Sequence, residues 1–190
     1  MATSSFFIVF VFAVVSVFGV RMLSRHFRVT QRALRKAKAG KIAEALTELE
    51  AVVRKKGPSP NVSGALGRIH LMDHRPAEAE AELRKAIDLG SQDHAHYNAL
   101  GWALIELDRL DEALPIAETA NKLAREDFEV YCLYCGLMAH HGRGAEVVSL
   151  LDFLKRTSAQ IAISKPKIYH NELRKKFEFA SSKMNAAGFA

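Results

Sequence analysis

Two patterns of apolar residues divide this sequence. The first is an uncharged run from Met1 to Val20, in which residues 6–20 read FFIVFVFAVVSVFGV. After Arg21, apolar residues instead recur at intervals of three and four, which is the spacing of one face of an α-helix. The sequence therefore predicts an apolar N-terminal helix followed by a series of amphipathic helices.

The N-terminal run is long enough to cross a membrane. Its 20 uncharged residues would span, as a helix, the hydrocarbon core of about 30 Å. No Lys or Arg precedes the run, and its end offers no good small-residue cleavage site, so an uncleaved anchor is favoured over a signal peptide. Residues 1–21 are therefore predicted to form a transmembrane anchor.

After the anchor, the sequence repeats itself every 34 residues. Gly67 and Ala79, for example, recur as Gly101 and Ala113. The same step aligns a column of glutamates and a column of mostly leucines. These columns are Glu44, Glu78, Glu112 and Glu146, and Leu49, Leu83, Ala117 and Leu151. Four unbroken repeats follow, at residues 26–59, 60–93, 94–127 and 128–161.

This pattern resembles the tetratricopeptide repeat (TPR), a 34-residue helix–turn–helix unit with small residues where its helices cross. The resemblance implies an all-α protein, with one transmembrane helix followed by an α-solenoid of four TPR-like helical hairpins over residues 22–161. Residues 162–190 are predicted to be a capping helix and a frayed tail, because a solenoid exposes its last apolar face unless something covers it. A basic partner-binding helix is the alternative for this segment.

Charge is uneven along the chain, which has a formal net charge of +6. Eleven basic and three acidic residues lie between Arg21 and Lys56, and 16 basic and 18 acidic residues follow. Since basic residues flanking a span stay on the cytoplasmic side, the pattern predicts a single-pass membrane protein with cytoplasmic repeats, in a bacterial inner membrane. The basic flank is expected to contact lipid head groups. No nucleic-acid partner is expected, because the positive charge is not spread over a folded face.

In the TPR family, the first helices of successive repeats line a concave groove, and the resemblance implies which residues face it. The candidate partner-binding residues are Asn61, Arg68, Asn98, Trp102, Glu106 and His140. Asn98 and Trp102 are four residues apart and so share a helical face. Arg68 takes the position of Trp102 one repeat earlier, so a partner with an apolar anchor and a nearby acidic group is expected. Alternatively, Trp102 packs against the C-terminal helix or a neighbouring repeat.

Other candidate chemistry is sparse. Cys132 and Cys135 are the only cysteines, too few for a disulfide framework. With the neighbouring histidines they offer ligands of the zinc type, but Cys135 falls in a buried small-residue column. His96 precedes a helix and is interpreted as part of a solvated turn. No catalytic motif or cofactor-binding loop is found, so no catalytic residue, cofactor or metal is predicted.

The favoured function is a membrane-anchored TPR scaffold or adaptor rather than an enzyme. A protein or peptide partner would bind in its concave groove, and the protein would support assembly or regulation of a membrane complex. One alternative is a metal- or redox-responsive regulator using Cys132 and Cys135. Another is an extracytoplasmic, chaperone-like TPR protein, if the topology is reversed.

Overall fold

The computed structural model describes residues 27–124, 127–164 and 174–189, and all regular structure within these ranges is helical. The helices are α1 (27–38), α2 (Ile42–Lys56), α3 (Pro60–Met72), α4 (Pro76–Asp88), α5 (His94–Glu106), α6 (Leu110–Leu123), α7 (Phe128–His140), α8 (Val148–Ser164) and α9 (Arg174–Ala186). A short 3₁₀ turn, Gly144–Val147, precedes α8. The predicted all-α solenoid of helical hairpins is confirmed.

Local start signals place the helices. Asp93 and Asp127 lie 34 residues apart and precede α5 and α7. The Asp93 carboxylate accepts a hydrogen bond of 2.9 Å from the backbone N–H of Ala95, and Asp127 accepts one of 3.0 Å from that of Glu129. Each bond satisfies an otherwise unpaired donor of the first helical turn. Helices α3 and α4 instead begin with a proline, where no N–H is needed.

The turn inside each hairpin contains one residue with left-handed backbone. These residues are 34 positions apart and are Gly40, His74, Asp108 and Gly142, with φ of 82°, 55°, 58° and 73°. Left-handed backbone is strained for residues other than glycine, although histidine and aspartate adopt it more readily than most. The same reversal of the chain is therefore built four times from different side chains.

The glutamate column recognised in the sequence forms ion pairs just after these turns. Each glutamate pairs with a basic residue three positions earlier. The pairs are Lys41–Glu44, Arg75–Glu78, Arg109–Glu112 and Arg143–Glu146. Because the side chains are largely exposed, such pairs contribute little to stability, typically about 0–1 kcal/mol each.

Glycines let the helices approach closely. A Cβ added at Gly67 would lie 2.5 Å from Leu83 Cγ and 2.9 Å from the carbonyl oxygen of Ala79, so this glycine sets the crossing of α3 and α4. A Cβ at Gly101 would lie 2.5 Å from Leu133 Cδ2. Gly101 therefore sets the approach of α5 to α7, which belongs to the next hairpin.

The apolar core follows the solenoid and ends on α9. Its last cluster joins α7 and α8 to α9, with Cys132, Leu151, Leu154, Ala180 and Met184 all nearly or fully buried. Helix α9 packs along α7 and touches α8 much less. By contrast, α5 and α7 each pack mainly on the second helix of the preceding hairpin. Helix α9 thus does not take the place that the first helix of a fifth repeat would have.

The transmembrane helix in the predicted fold class is a correction. No helix within residues 27–124, 127–164 and 174–189 is long and apolar enough to cross a membrane. The longest described helix, α8, has 17 residues, or about 25 Å at 1.5 Å per residue, which is short of the hydrocarbon core. The predicted span, residues 1–21, lies outside the described residues.

The predicted localisation is corrected with it. A single-pass protein of the bacterial inner membrane, with cytoplasmic repeats, conflicts with this finding. The membrane contact predicted through an N-terminal helix and its basic flank is not supported either. Both rested on hydropathy and charge in the sequence. The reversed-topology alternative depended on the same helix and is set aside with it.

Replacing Gly101 with leucine should destabilise the fold by roughly 1–3 kcal/mol, because the new side chain must displace Leu133 from the α5–α7 contact. Chemical denaturation measures the change. Ala81→Leu, on the exposed side of α4, is the matched control and should leave the free energy of unfolding within about 0.5 kcal/mol of wild type. Equal stability of the two variants would contradict the packing described here.

His74→Gly should raise the free energy of unfolding by about 0.5–1 kcal/mol, because glycine relieves the left-handed strain at φ 55°. Asp73→Gly is the control, since Asp73 has an ordinary φ of −92° and glycine there only adds flexibility to the unfolded chain. The expected order of melting temperatures is His74→Gly, wild type, Asp73→Gly. A lower melting temperature for His74→Gly than for wild type would refute the role of strain.

Candidate functional site

The candidate site is the face that the first helices of the hairpins share, here called the groove face. From α3 it comprises Asn61, Gly64, Arg68 and Met72, from α5 Asn98, Trp102, Ile105 and Glu106, and from α7 Glu129, Cys132, Gly136 and His140. The structure shows two distinct environments on this face. Helix α9 covers the α7 part, whereas the α3 part has no such cover among the described residues.

Helix α9 meets the groove face of α7 along its length. Lys176 forms an ion pair with Glu129. In the middle, a Cβ on Gly136 would collide with the ring of Phe179. At the far end, Lys183 Nζ lies 3.4 Å from His140 Nδ1. Since the residue numbers rise together, α7 and α9 run in the same direction.

Trp102 connects the α5 and α7 parts of the face through α9. Its ring packs edge-on against Phe179, with the centroids 5.4 Å apart, and Lys176 Nζ lies 5.6 Å from the indole centroid. Such cation–π contacts stabilise by about 0.5–1 kcal/mol at exposed sites. The indole N–H is buried and has no hydrogen-bond partner among the described residues. The alternative raised from the sequence, packing of Trp102 on the C-terminal helix, is therefore the arrangement observed.

Asn98 lies one turn before Trp102 and is 7% exposed. Its side-chain oxygen is buried and has no hydrogen-bond partner in the described part of the chain. An unpaired buried polar group of this kind costs about 1–3 kcal/mol. The α5 part of the groove face thus holds one unpaired acceptor, on Asn98, and one unpaired donor, on Trp102.

The other predicted site residues line the edges of this face. Arg68 is half-buried, and no carboxylate of a described residue forms an ion pair with it. Asn61 is half-buried near the start of α3, and Glu106 is exposed at the end of α5. His140 is exposed at the end of α7, where burial and the neighbouring Lys183 ammonium lower its pKa. Trp102 and His140 are therefore drawn together by α9, whereas Asn61 is not part of that contact.

His96 is a groove residue that the sequence interpretation missed. It is 3% exposed, so its interpretation as part of a solvated turn is wrong. Its ring fills the space above Gly64, where a Cβ would collide with it, and its Nδ1 lies 2.7 Å from Ser91 Oγ. Burial lowers its pKa, and Arg68 and His94 lower it further, against Asp93. The missing side chain at Gly64, in a groove position, was the available signal.

The C-terminal helix also holds groove contacts that were not assigned from the sequence. Lys176, Phe177, Phe179 and Lys183 all contact α5 or α7. Phe177 stacks on Phe128 at a centroid distance of 6.5 Å. The available signal was the spacing of Phe177, Ala180 and Met184, at three and four residues, which is one apolar helical stripe.

The two cysteines are buried and unbonded. Burial raises the pKa of Cys135 to about 12 and holds that of Cys132 far above its usual range. Metal ligation and redox reactions need the thiolate, which these environments disfavour. Among the described residues, no group of three or more His, Cys, Asp or Glu side chains could hold a metal ion. The site therefore lacks the chemistry that a metal- or redox-responsive regulator requires.

Helical hairpins stacked in register, with an interaction face on their first helices, define the class of α-solenoid repeat proteins. Within that class, the chain belongs to the tetratricopeptide-repeat family, whose profile matches residues 30–94 and 65–127, together just over half of the sequence. Proteins of this family are typically protein-interaction scaffolds rather than enzymes. No curated protein sequence matches the chain.

Solved structures share the fold. YrrB, a TPR protein with an unusual peptide-binding site, is 17% identical over 85% of this chain and 77% of its own, with a TM-score of 0.57. MamA is 18% identical over 86% of this chain and 93% of its own, with a TM-score of 0.58. The second TPR domain of human RPAP3, in complex with the HSP70 peptide SGPTIEEVD, is 20% identical over 57% of this chain and 91% of its own, with a TM-score of 0.52.

Cys132 and Cys135 should resist a thiol reagent such as DTNB in the folded protein and react fully in denaturant, because burial keeps both thiols neutral and inaccessible. The control is Ala81→Cys, which adds one thiol on the exposed side of α4 and should react at once. If a native thiol reacted as fast as this added one, the redox alternative would regain support.

Proposed function

We propose that this protein is a scaffold that binds a segment of a partner protein on the α3 and α5 part of its groove face and brings that partner into a larger assembly. Binding rather than catalysis is its role. The proposal keeps the partner-binding residues predicted from the sequence, with Asn98, Trp102 and Arg68 at its centre.

The observation that carries the proposal is the pair of unpaired polar groups on α5. Asn98 offers a hydrogen-bond acceptor and Trp102 a donor, one helical turn apart. A peptide backbone carries both an N–H and a carbonyl group at each residue other than proline. A bound segment could therefore satisfy both groups and recover the free energy that they cost in the unbound protein.

Arg68 supplies the charge preference. It lies on α3, at the position that Trp102 has on α5, and has no ion pair among the described residues. A carboxylate of the partner would form a charge-assisted hydrogen bond with its guanidinium. Asn61 and Glu106 flank this centre and would contact the ends of the bound segment.

The structural neighbours add support at the level of the fold. YrrB has a peptide-binding site and the RPAP3 domain binds a peptide with two adjacent glutamates, as their descriptions state. A TPR solenoid of this kind is thus able to bind peptides. The identity of the partner for this chain rests on its own groove residues.

The test begins with selection of a displayed library of random 12-residue peptides on the full chain. The tightest acidic peptide is then titrated against variants. Arg68→Glu should weaken binding at least tenfold. Asn98→Ala should weaken it about threefold to tenfold, the effect of losing one hydrogen bond, while its melting temperature stays close to wild type because no internal hydrogen bond is lost.

Lys122→Glu is the matched control, because it makes the same charge change at an exposed site on α6. It should bind the peptide as the wild type does. If no peptide is selected, or if Arg68→Glu and Asn98→Ala both bind like the control, the proposed site is wrong.

A further inference from the structure

Helix α9 occupies the groove face in the manner of a bound ligand. Four groove positions of α7 are Glu129, Cys132, Gly136 and His140, and α9 contacts or buries each except for the exposed edge of His140. A helix whose purpose was only to close the solenoid would pack mainly on α8, as α5 packs on α4 and α7 on α6. The position of α9 therefore needs a second explanation.

The contact has the composition of helix-in-groove recognition. Phe179 sits against Gly136 and Trp102, and Ala180 and Met184 are fully buried. Lys176 pairs with Glu129 at the rim. An apolar stripe on one helix, anchored by an aromatic residue and framed by charge, is how amphipathic helices bind hydrophobic grooves.

Helix α9 is nevertheless an imperfect occupant. It covers Trp102 without giving a hydrogen-bond acceptor to the indole N–H, and the Asn98 oxygen also stays unpaired. An occupant that supplied those bonds would gain free energy that α9 does not. The advantage of α9 is instead its attachment to the same chain, which gives it an effective concentration on the order of millimolar.

We propose that α9 is an internal competitor for the groove, and that the partner bound at the α7 end is a basic amphipathic helix of the same pattern, which displaces α9. The pattern is a lysine, an aromatic residue three positions later, a small residue next to it, and an apolar residue four positions further on, as in Lys176, Phe179, Ala180 and Met184. This inference rests on the proposed function and names the partner and its regulation at one end of that site.

The competition lowers the apparent affinity of the partner. When the groove is open in only a fraction of molecules, the apparent dissociation constant equals the intrinsic one divided by that fraction. Weakening the α9 contact should therefore strengthen partner binding, although the partner surface itself is unchanged. A helix that merely stabilised the solenoid would not produce this effect.

The experiment uses the full chain and a synthetic peptide of residues 174–189. Phe179→Asp in the protein removes the aromatic anchor and opposes burial, so α9 should leave α7. Trp102 is the only tryptophan, so its emission should shift to longer wavelength as it becomes exposed. The peptide should bind Phe179→Asp at least tenfold more tightly than it binds wild type, and a peptide with the same substitution should bind neither.

Ser182→Asp is the control, because it adds the same charge to the exposed side of α9. It should match wild type in emission and peptide affinity. If Phe179→Asp lost its overall helicity, Lys176→Glu provides a milder opening, since it places two carboxylates opposite each other at Glu129. It should also strengthen peptide binding, by at least threefold.

Two results would overturn the inference. One is equal peptide affinity for wild type and both opened variants, and the other is no binding to an opened variant that keeps its helicity. The proposed function is tested separately, through the dependence of a selected acidic peptide on Arg68 and Asn98. If that dependence holds while the α9 peptide fails, the scaffold function stands and only the competitor role is lost.

Discussion

The distance between helix backbones is the constraint on which this structure depends. Glycine sets that distance in three places: at Gly67 between the helices of one hairpin, at Gly101 between neighbouring hairpins, and at Gly136 beneath α9. In each case a single added Cβ would meet atoms that have no free space to move into. Stacking at this distance aligns the first helices, and that alignment is what creates a continuous groove face.

The groove face holds polar groups at a cost to stability. Asn98 and Trp102 are kept in a buried environment with unpaired atoms, where apolar residues of the same size would be more stable. Stability alone therefore does not explain them. A function that uses those groups does, because binding of a segment repays the cost at the moment of association. Helix α9 fits the same logic, since it reduces exposure of the apolar surface without satisfying the polar groups.

The sequence revealed the periodic part of this architecture and missed the rest. A step of 34 residues predicted the hairpins because close crossing, capping and the turn all recur at that interval, as at Asp93 and Asp127. The burial of His96 and the position of α9 depend on contacts made only once, which no repeat can indicate. The hydropathy pattern of residues 1–21 predicted a membrane span, yet no described helix has the length and apolarity for one.

Charge gives the groove face a direction. Arg68 lies on α3, whereas Glu129 lies on α7, two first helices further along the solenoid. Since packed helices are about 8–10 Å apart, these opposite charges are separated by roughly 20 Å. An extended segment covers that distance in about six residues. A single partner with an acidic residue near one end and the basic helix at the other could therefore satisfy both halves of the site, and reversing its direction would place like charges together at each end. The groove selects for orientation as well as for composition.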